Sequence, residues 1–138
     1  MKKLFIDTNI IIDLLAKRDP FYDEAAMLFT LADKQKIGLS VSALTFANTN
    51  YILLQSKRPD EAKLILRKLK LIVQVLCLDE KIVGLSLNDN DFKDYEDALQ
   101  YFTALENGVD VIITRNLKDF QKAKLPVMTA AQYLETIK

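Results

Sequence analysis

The 138 residues contain no histidine. That removes the usual neutral-pH proton shuttle and the commonest nitrogen ligand for zinc, and it excludes Ser-His-Asp and Cys-His catalysis. A single cysteine, Cys77, leaves no thiolate cluster; set in the apolar run of residues 71–78, it reads as an ordinary core residue. The three glycines, Gly38, Gly84 and Gly108, lie far apart, so no glycine-rich phosphate cradle exists. No apolar run approaches the length of a membrane span and no signal-peptide pattern opens the chain, so a reduced, cytoplasmic protein is expected. Nineteen Lys+Arg offset nineteen Asp+Glu, so whole-molecule charge advertises neither bulk nucleic acid nor an anionic membrane as a partner. Carboxylates, amides, hydroxyls and basic side chains remain for chemistry.

Half of the residues are hydrophobic, enough at this length for one domain over 1–138 with a real core. Residues 2–6 form a short apolar run without alternation, the mark of a strand buried on both faces. Asp7-Thr8-Asn9 ends it, and the apolar pattern resumes from Ile10 as a helix. Helices are predicted over 22–36, from Ala43 to about Ser56, after Pro59, over 80–87 and 94–106, and from Ala130 to Ile137. Strands are predicted at 39–42, 71–78, 109–113 and, as a minor edge, 126–128, with a short turn of helix at 117–120. In the helix after Ser42, residues Leu44, Ala47, Tyr51 and Leu54 read as the buried stripe, with Asn48 at its margin. Alternating strands and helices mean α/β with a parallel sheet. The basic side chains Lys63, Arg67, Lys68 and Lys70 of the helix after Pro59 read as a solvated face, or else as a rim for phosphates.

Three polar places stand at strand ends or helix starts: Asp7, Asp94 with Asp97, and Asn116 with Asp119. Each could simply cap or complement a helix. Taken together they suggest more, because parallel strands put their carboxyl ends on one edge, where ligands bind in open α/β sheets. Two carboxylates ~4 Å apart cost about 4 kcal/mol at an effective dielectric near 20. A cation, a retained proton or basic partners must offset that cost. Oxygen donors alone suit Mg²⁺ or Mn²⁺, and such an ion at a sheet edge can polarise a phosphoryl oxygen and activate water. The pattern favours phosphodiester hydrolysis.

Four ordered segments resemble the PIN-domain family, the nuclease fold of VapC-type toxins. They are Phe5-Ile6-Asp7-Thr8-Asn9, Ser42-Ala43-Leu44-Thr45, Asp94-Tyr95-Glu96-Asp97-Ala98, and Ile113-Thr114-Arg115-Asn116-Leu117-Lys118-Asp119-Phe120. The resemblance implies a three-layer α/β/α fold with strand order 3-2-1-4-5. It implies a ribonuclease using Mg²⁺ or Mn²⁺, a small antitoxin as partner, and a homodimer. It implies Asp7, Asp97 and Asp119 as metal ligands, with Asn116 completing the catalytic set. Thr8, Asn9, Asn48, Asp94 and Thr114 would stand behind them, orienting ligands or water.

The chain departs from the family at Asn48, where many PIN domains carry a glutamate, and at Asn116, where some carry an aspartate. Both keep a carbonyl oxygen and lose a charge, which leaves three carboxylates for one ion. A PIN fold that grips RNA or a protein without cutting is therefore an alternative. A receiver-like domain phosphorylated at Asp79 is a third reading.

Overall fold

The computed structural model describes residues 1–138. In chain order it runs β1 (Lys3–Ile6), α1 (Thr8–Leu15), α2 (Tyr22–Asp33), β2 (Gly38–Ser42), α3 (Ala43–Leu53), α4 (Pro59–Lys70) and β3 (Val73–Leu76). Then follow α5 (Glu80–Asn88), α6 (Tyr95–Glu106), β4 (Val111–Ile113), a 3₁₀ turn (Leu117–Phe120), β5 (Val127–Met128) and α7 (Ala130–Thr136). The five strands form one parallel sheet in the order β3-β2-β1-β4-β5. β1 is central, with Leu4 opposite Leu39 on one side and Val111 on the other.

Three of its four residues, Leu4, Phe5 and Ile6, are fully buried, as their unbroken apolar run predicts. Alternation along the strand then splits the core in two. Leu4 and Ile6 pack with Ile10, Ile11, Leu28, Val41 and Ile113 beneath α1 and α2. Phe5 and Ile112 pack on the other face against Phe92, Tyr101 and Phe120. The result is three layers: helices, sheet, helices. Truncating Phe5 would cost about 3–5 kcal/mol. At the end of α6 the chain turns back through Gly108, whose φ of +66° is a left-handed value that glycine adopts without strain.

Three sequence expectations are corrected. In α3 the buried positions are Thr45, Thr49 and Leu53, whereas Ala47 and Leu54 are exposed and Tyr51 is 71% exposed. Counting apolar residues selected the wrong face, because the sheet edge beside α3 ends in Ser42, and hydroxyls rather than methyls meet it there. Cys77 is exposed. It lies one residue past β3, an edge strand with a single neighbour, so the run at 71–78 is covered on fewer sides than its composition suggests; Leu71 is 86% exposed. Strands β3 and β4 are also shorter than their apolar runs.

Candidate active site

Asp7 closes β1, and its backbone N–H still donates to Ile113 of β4 at 2.9 Å. Its extended backbone lets the carboxylate cap α1: Oδ1 accepts from the Thr8 N–H at 2.8 Å. The second oxygen accepts from Thr114 Oγ1 at 2.8 Å and from Asn9 Nδ2 at 3.4 Å. Asp7 is thus both the cap of α1 and a candidate site carboxylate, and Thr8, Asn9 and Thr114 all surround it. Burial pushes the Asp7 pKa above the ordinary carboxylate value; the bonds from Thr114 and Thr8 pull it down, Asp119 pushes it up and Arg115 opposes.

Asp94 caps α6, accepting from the N–H groups of Glu96 and Asp97 at 2.8 and 3.2 Å. That cap presents the first turn of α6, and with it Asp97, to the rim where β1 ends. Asp7 and Asp97 line one cavity of about 380 Å³, together with Thr8, Asn48, Glu96 and Gln100. The Asp97 pKa is pushed up to about 7, first by desolvation, then by the charges of Asp94, Asp7, Asp119 and Glu96. Asp97 also lines a second, wholly polar cavity of about 240 Å³ with Asp94, Asp119, Lys93, Lys118 and Lys122. Asp97 therefore lines two hollows, one shared with Asp7 and the other with Asp119.

Asn116 lies apart from them. It lines a different cavity, with Asp13, Phe21 and Arg115. Its side chain does not cap the 3₁₀ turn; its carbonyl accepts from the Asp119 N–H at 3.0 Å, and its own N–H donates to Thr114 Oγ1 at 3.0 Å. Asn116 thus touches Thr114, which touches Asp7. Asp79, the aspartate of the receiver reading, stands after an edge strand, where it caps α5 by accepting from the Ile82 N–H at 3.0 Å.

Several site residues escaped the sequence. Gln100 reaches from α6 to α3: its Nε2 donates to Thr45 Oγ1 at 2.9 Å and to Thr8 Oγ1 at 3.4 Å, and its Oε1 accepts from Ser42 Oγ at 2.5 Å. This buried amide network locks the floor of the cavity. The only hint was a glutamine one helical turn after Asp97. Arg115 forms a two-pronged pair with the buried Asp13, at 2.8 and 3.1 Å, and stacks over Phe21 at 4.1 Å. Nothing local marks that partnership across 102 residues. Glu96 accepts from Asn48 Nδ2 at 3.5 Å, so Asn48, read as a lost charge, faces a retained one.

No three Asp, Glu or Cys side chains stand close enough together to cage an ion. The donors suit a cation that keeps most of its water. Mg²⁺ is commonly held by one or two carboxylates plus substrate phosphates. Asp7 and Asp97 are such a pair, all-oxygen and both driven toward protonation where no cation is present. Next to Asp7 Oδ2, the Asn9 side-chain oxygen is buried without a hydrogen-bond partner. These residues fit a hydrated divalent ion.

The fold and sequence agree with known proteins along nearly the whole chain. Ribonuclease VapC1 of Aquifex aeolicus (strain VF5) is 27% identical over 137 residues, covering 97% of this chain and 94% of that one. A toxin–antitoxin complex from Klebsiella pneumoniae contains a chain that superposes with a TM-score of 0.69 at 24% identity, covering 92% of this chain and 97% of its own. Mycobacterium tuberculosis VapC20, a sarcin-ricin-loop-cleaving toxin, superposes at 0.66 with 15% identity, covering 88% and 95%. The model of the PIN domain matches residues 3–118, which takes in every site residue except Asp119. With that match spanning the central strand, the α6 carboxylates and the end of β4, the chain belongs to the PIN-domain family.

Proposed function

We propose that this protein is a divalent-cation-dependent endoribonuclease and the toxin half of a toxin–antitoxin pair. The observation that carries the reading is the placement of Asp7 and Asp97 in one cavity at the carboxyl edge of the sheet, each with its pKa raised. Groups under that strain gain most from a cation, and phosphodiester hydrolysis is the chemistry a carboxylate-held cation serves. The ribonuclease named for the Aquifex relative supports the reaction, and the Klebsiella complex supports a small protein partner.

In this mechanism Asp7 and Asp97 would hold a hydrated Mg²⁺ or Mn²⁺, with Asp119 in the adjoining cavity adding its charge from farther off. Such an ion would supply Lewis acidity toward the scissile phosphate and lower the pKa of water. Thr114 and Asn9 hold Asp7 Oδ2 in place, Asp94 sets the angle of the first α6 turn, and the Gln100 network keeps Thr8 from moving. Lys93, Lys118 and Lys122 edge the hollow of Asp97 and Asp119, and none of the three is ion-paired. They offer contacts to backbone phosphates on either side of the cut.

The test is cleavage of RNA by purified protein in Mn²⁺ or Mg²⁺, with Asp7→Asn and Asp97→Asn as controls. Cleavage lost in both variants supports the reading; cleavage that survives both ends it. Asn48 favours a second reading, a PIN fold that binds RNA without cutting. Tight RNA binding with no turnover at saturating Mn²⁺ would select it.

A further inference from the structure

The cavity beside Asn116 has no part in the chemistry described so far. It measures about 290 Å³ and lies between α1, the starts of α2 and α7, and the loop after β4. That is near the lower end of ligand pockets, roughly 300–1,000 Å³. Two hydrogen bonds connect it to Asp7: the Asn116 N–H donates to Thr114 Oγ1, and Thr114 donates to Asp7 Oδ2. Within it the Arg115 guanidinium lies over the Phe21 ring at 4.1 Å, and Phe21 is 38% exposed. Asp13 neutralises Arg115, which leaves Glu24 as the uncompensated charge; it is half-buried and enters no salt bridge. A phosphate is repelled by such a lining, in contrast to the lysine-edged hollow of Asp119.

A flat aromatic and guanidinium layer beside one unpaired carboxylate suits a nucleobase. Unstacked RNA bases settle on aromatic rings and guanidinium planes and are read along their Watson–Crick edges. A carboxylate has two oxygens to offer and only accepts. Guanine alone sets two donors, N1–H and N2–H, side by side on that edge. Adenine places an acceptor at N1, and uracil and cytosine each set their one donor group beside an acceptor.

We propose that this cavity is a guanine subsite for an RNA nucleotide next to the scissile phosphate. Glu24 accepts from the base N1–H and N2–H, the Phe21–Arg115 layer stacks on it, and the Asn116 side-chain amide, which caps no helix, donates to O6. The inference rests on the ribonuclease reading above and deepens it by naming the base. It also gives Asn116 a binding role away from the carboxylates.

The test is binding of a short fluorescent oligouridine with one central guanosine, read by anisotropy without divalent ions, against the same oligomer with a central adenosine. The guanosine oligomer is expected to bind about tenfold tighter, as a two-pronged contact to a base edge gives. A preference below about threefold, or no binding, overturns the proposal. Glu24→Gln is expected to erase the preference while leaving affinity for the adenosine oligomer within about twofold; a preference that survives overturns the role of Glu24 and with it the subsite. Asp23→Asn removes the same charge one residue away and outside this cavity, and is expected to keep the preference. Its loss there would make the effect a general one and overturn the assignment. Cleavage of both oligomers in Mn²⁺ runs alongside. Guanosine preference in binding with no cleavage keeps the subsite and ends the ribonuclease reading; cleavage of both alike, with no binding preference, ends the subsite and leaves the ribonuclease reading standing.

Discussion

Thr114 Oγ1 donates to Asp7 Oδ2 at 2.8 Å, joining the ends of two adjacent strands, β4 and β1, by a bond between residues 107 apart in sequence. The hydroxyl is fully buried, and it also accepts from the Asn116 N–H, so it has no freedom to turn away. It aims the lone pairs of Asp7 and partly offsets the effect of burial on that carboxylate.

Removing this donor should be felt by both the ion and the fold. Thr114→Val keeps the shape and deletes the hydroxyl. It is expected to lower Mn²⁺ affinity by about 10-fold or more, the usual cost of losing a hydrogen bond to a metal ligand, and to raise the Asp7 pKa further. Stability should fall by about 1–3 kcal/mol as the buried Asp7 oxygen loses its partner. Thr114→Ser should retain affinity. Calorimetric titration of the two variants checks the pair.

Asp13 is 1% exposed, and Arg115 supplies its two charged hydrogen bonds. Breaking a buried pair strands the remaining charge. Arg115→Met is therefore expected to destabilise the protein by about 3–5 kcal/mol in urea unfolding. Asp13→Asn/Arg115→Met, which removes both charges, should cost less than Arg115→Met alone. A double variant no more stable than the single one would show that Asp13 does not depend on Arg115.

Gln100 donates and accepts within a network of hydroxyls on three other elements. Gln100→Leu deletes three hydrogen bonds and leaves Ser42 and Thr45 without this partner, at a cost of about 1–3 kcal/mol. Gln100→Glu should be worse, because burying a charge there has no compensating cation. Thermal unfolding distinguishes the two. Equal melting temperatures for both variants and the parent would mean that the network carries no stability.

The pH dependence follows from Asp97 and Asp7. The Asp97 pKa lies at about 7 in the folded protein against 3.8 ordinarily, and Asp7 is shifted in the same direction. The native state therefore holds these protons more tightly than the unfolded chain does. Their contribution to stability is complete below the ordinary value and is lost as pH rises through about 7. Without divalent cations, the urea midpoint should fall over that interval. Because a cation binds the ionised carboxylates, Mg²⁺ should restore stability increasingly as pH rises. Asp97→Asn should flatten the profile. A metal-free profile of the parent that is already flat would contradict the raised pKa.

Much of this was legible in the chain. The buried strand at residues 2–6, the alternation of strands and helices, and the caps Asp7, Ser42, Asp94 and Thr129 all stand where local pattern put them. The face of α3 was not, since a helix with apolar residues all round carries no signal of its rotation. That rotation follows from Ser42 and Gln100, one next door in sequence and the other 58 residues from Ser42. Glu96 and Asn48 were not read as neighbours, because 48 residues separate them.

By itself the sequence determined the kind of elements, their order and the donor chemistry. Periodicity, caps and the lack of histidine are properties of neighbours along the chain, and local energies suffice to set them. The tertiary structure alone decided which oxygens meet: Asp7 with Asp97 and Glu96 in one hollow, Asp97 with Asp119 in the next, and Asn116 beside Arg115 in a third. Such meetings depend on how the helices turn and settle on a five-stranded sheet, a matter of packing between segments that no single stretch encodes.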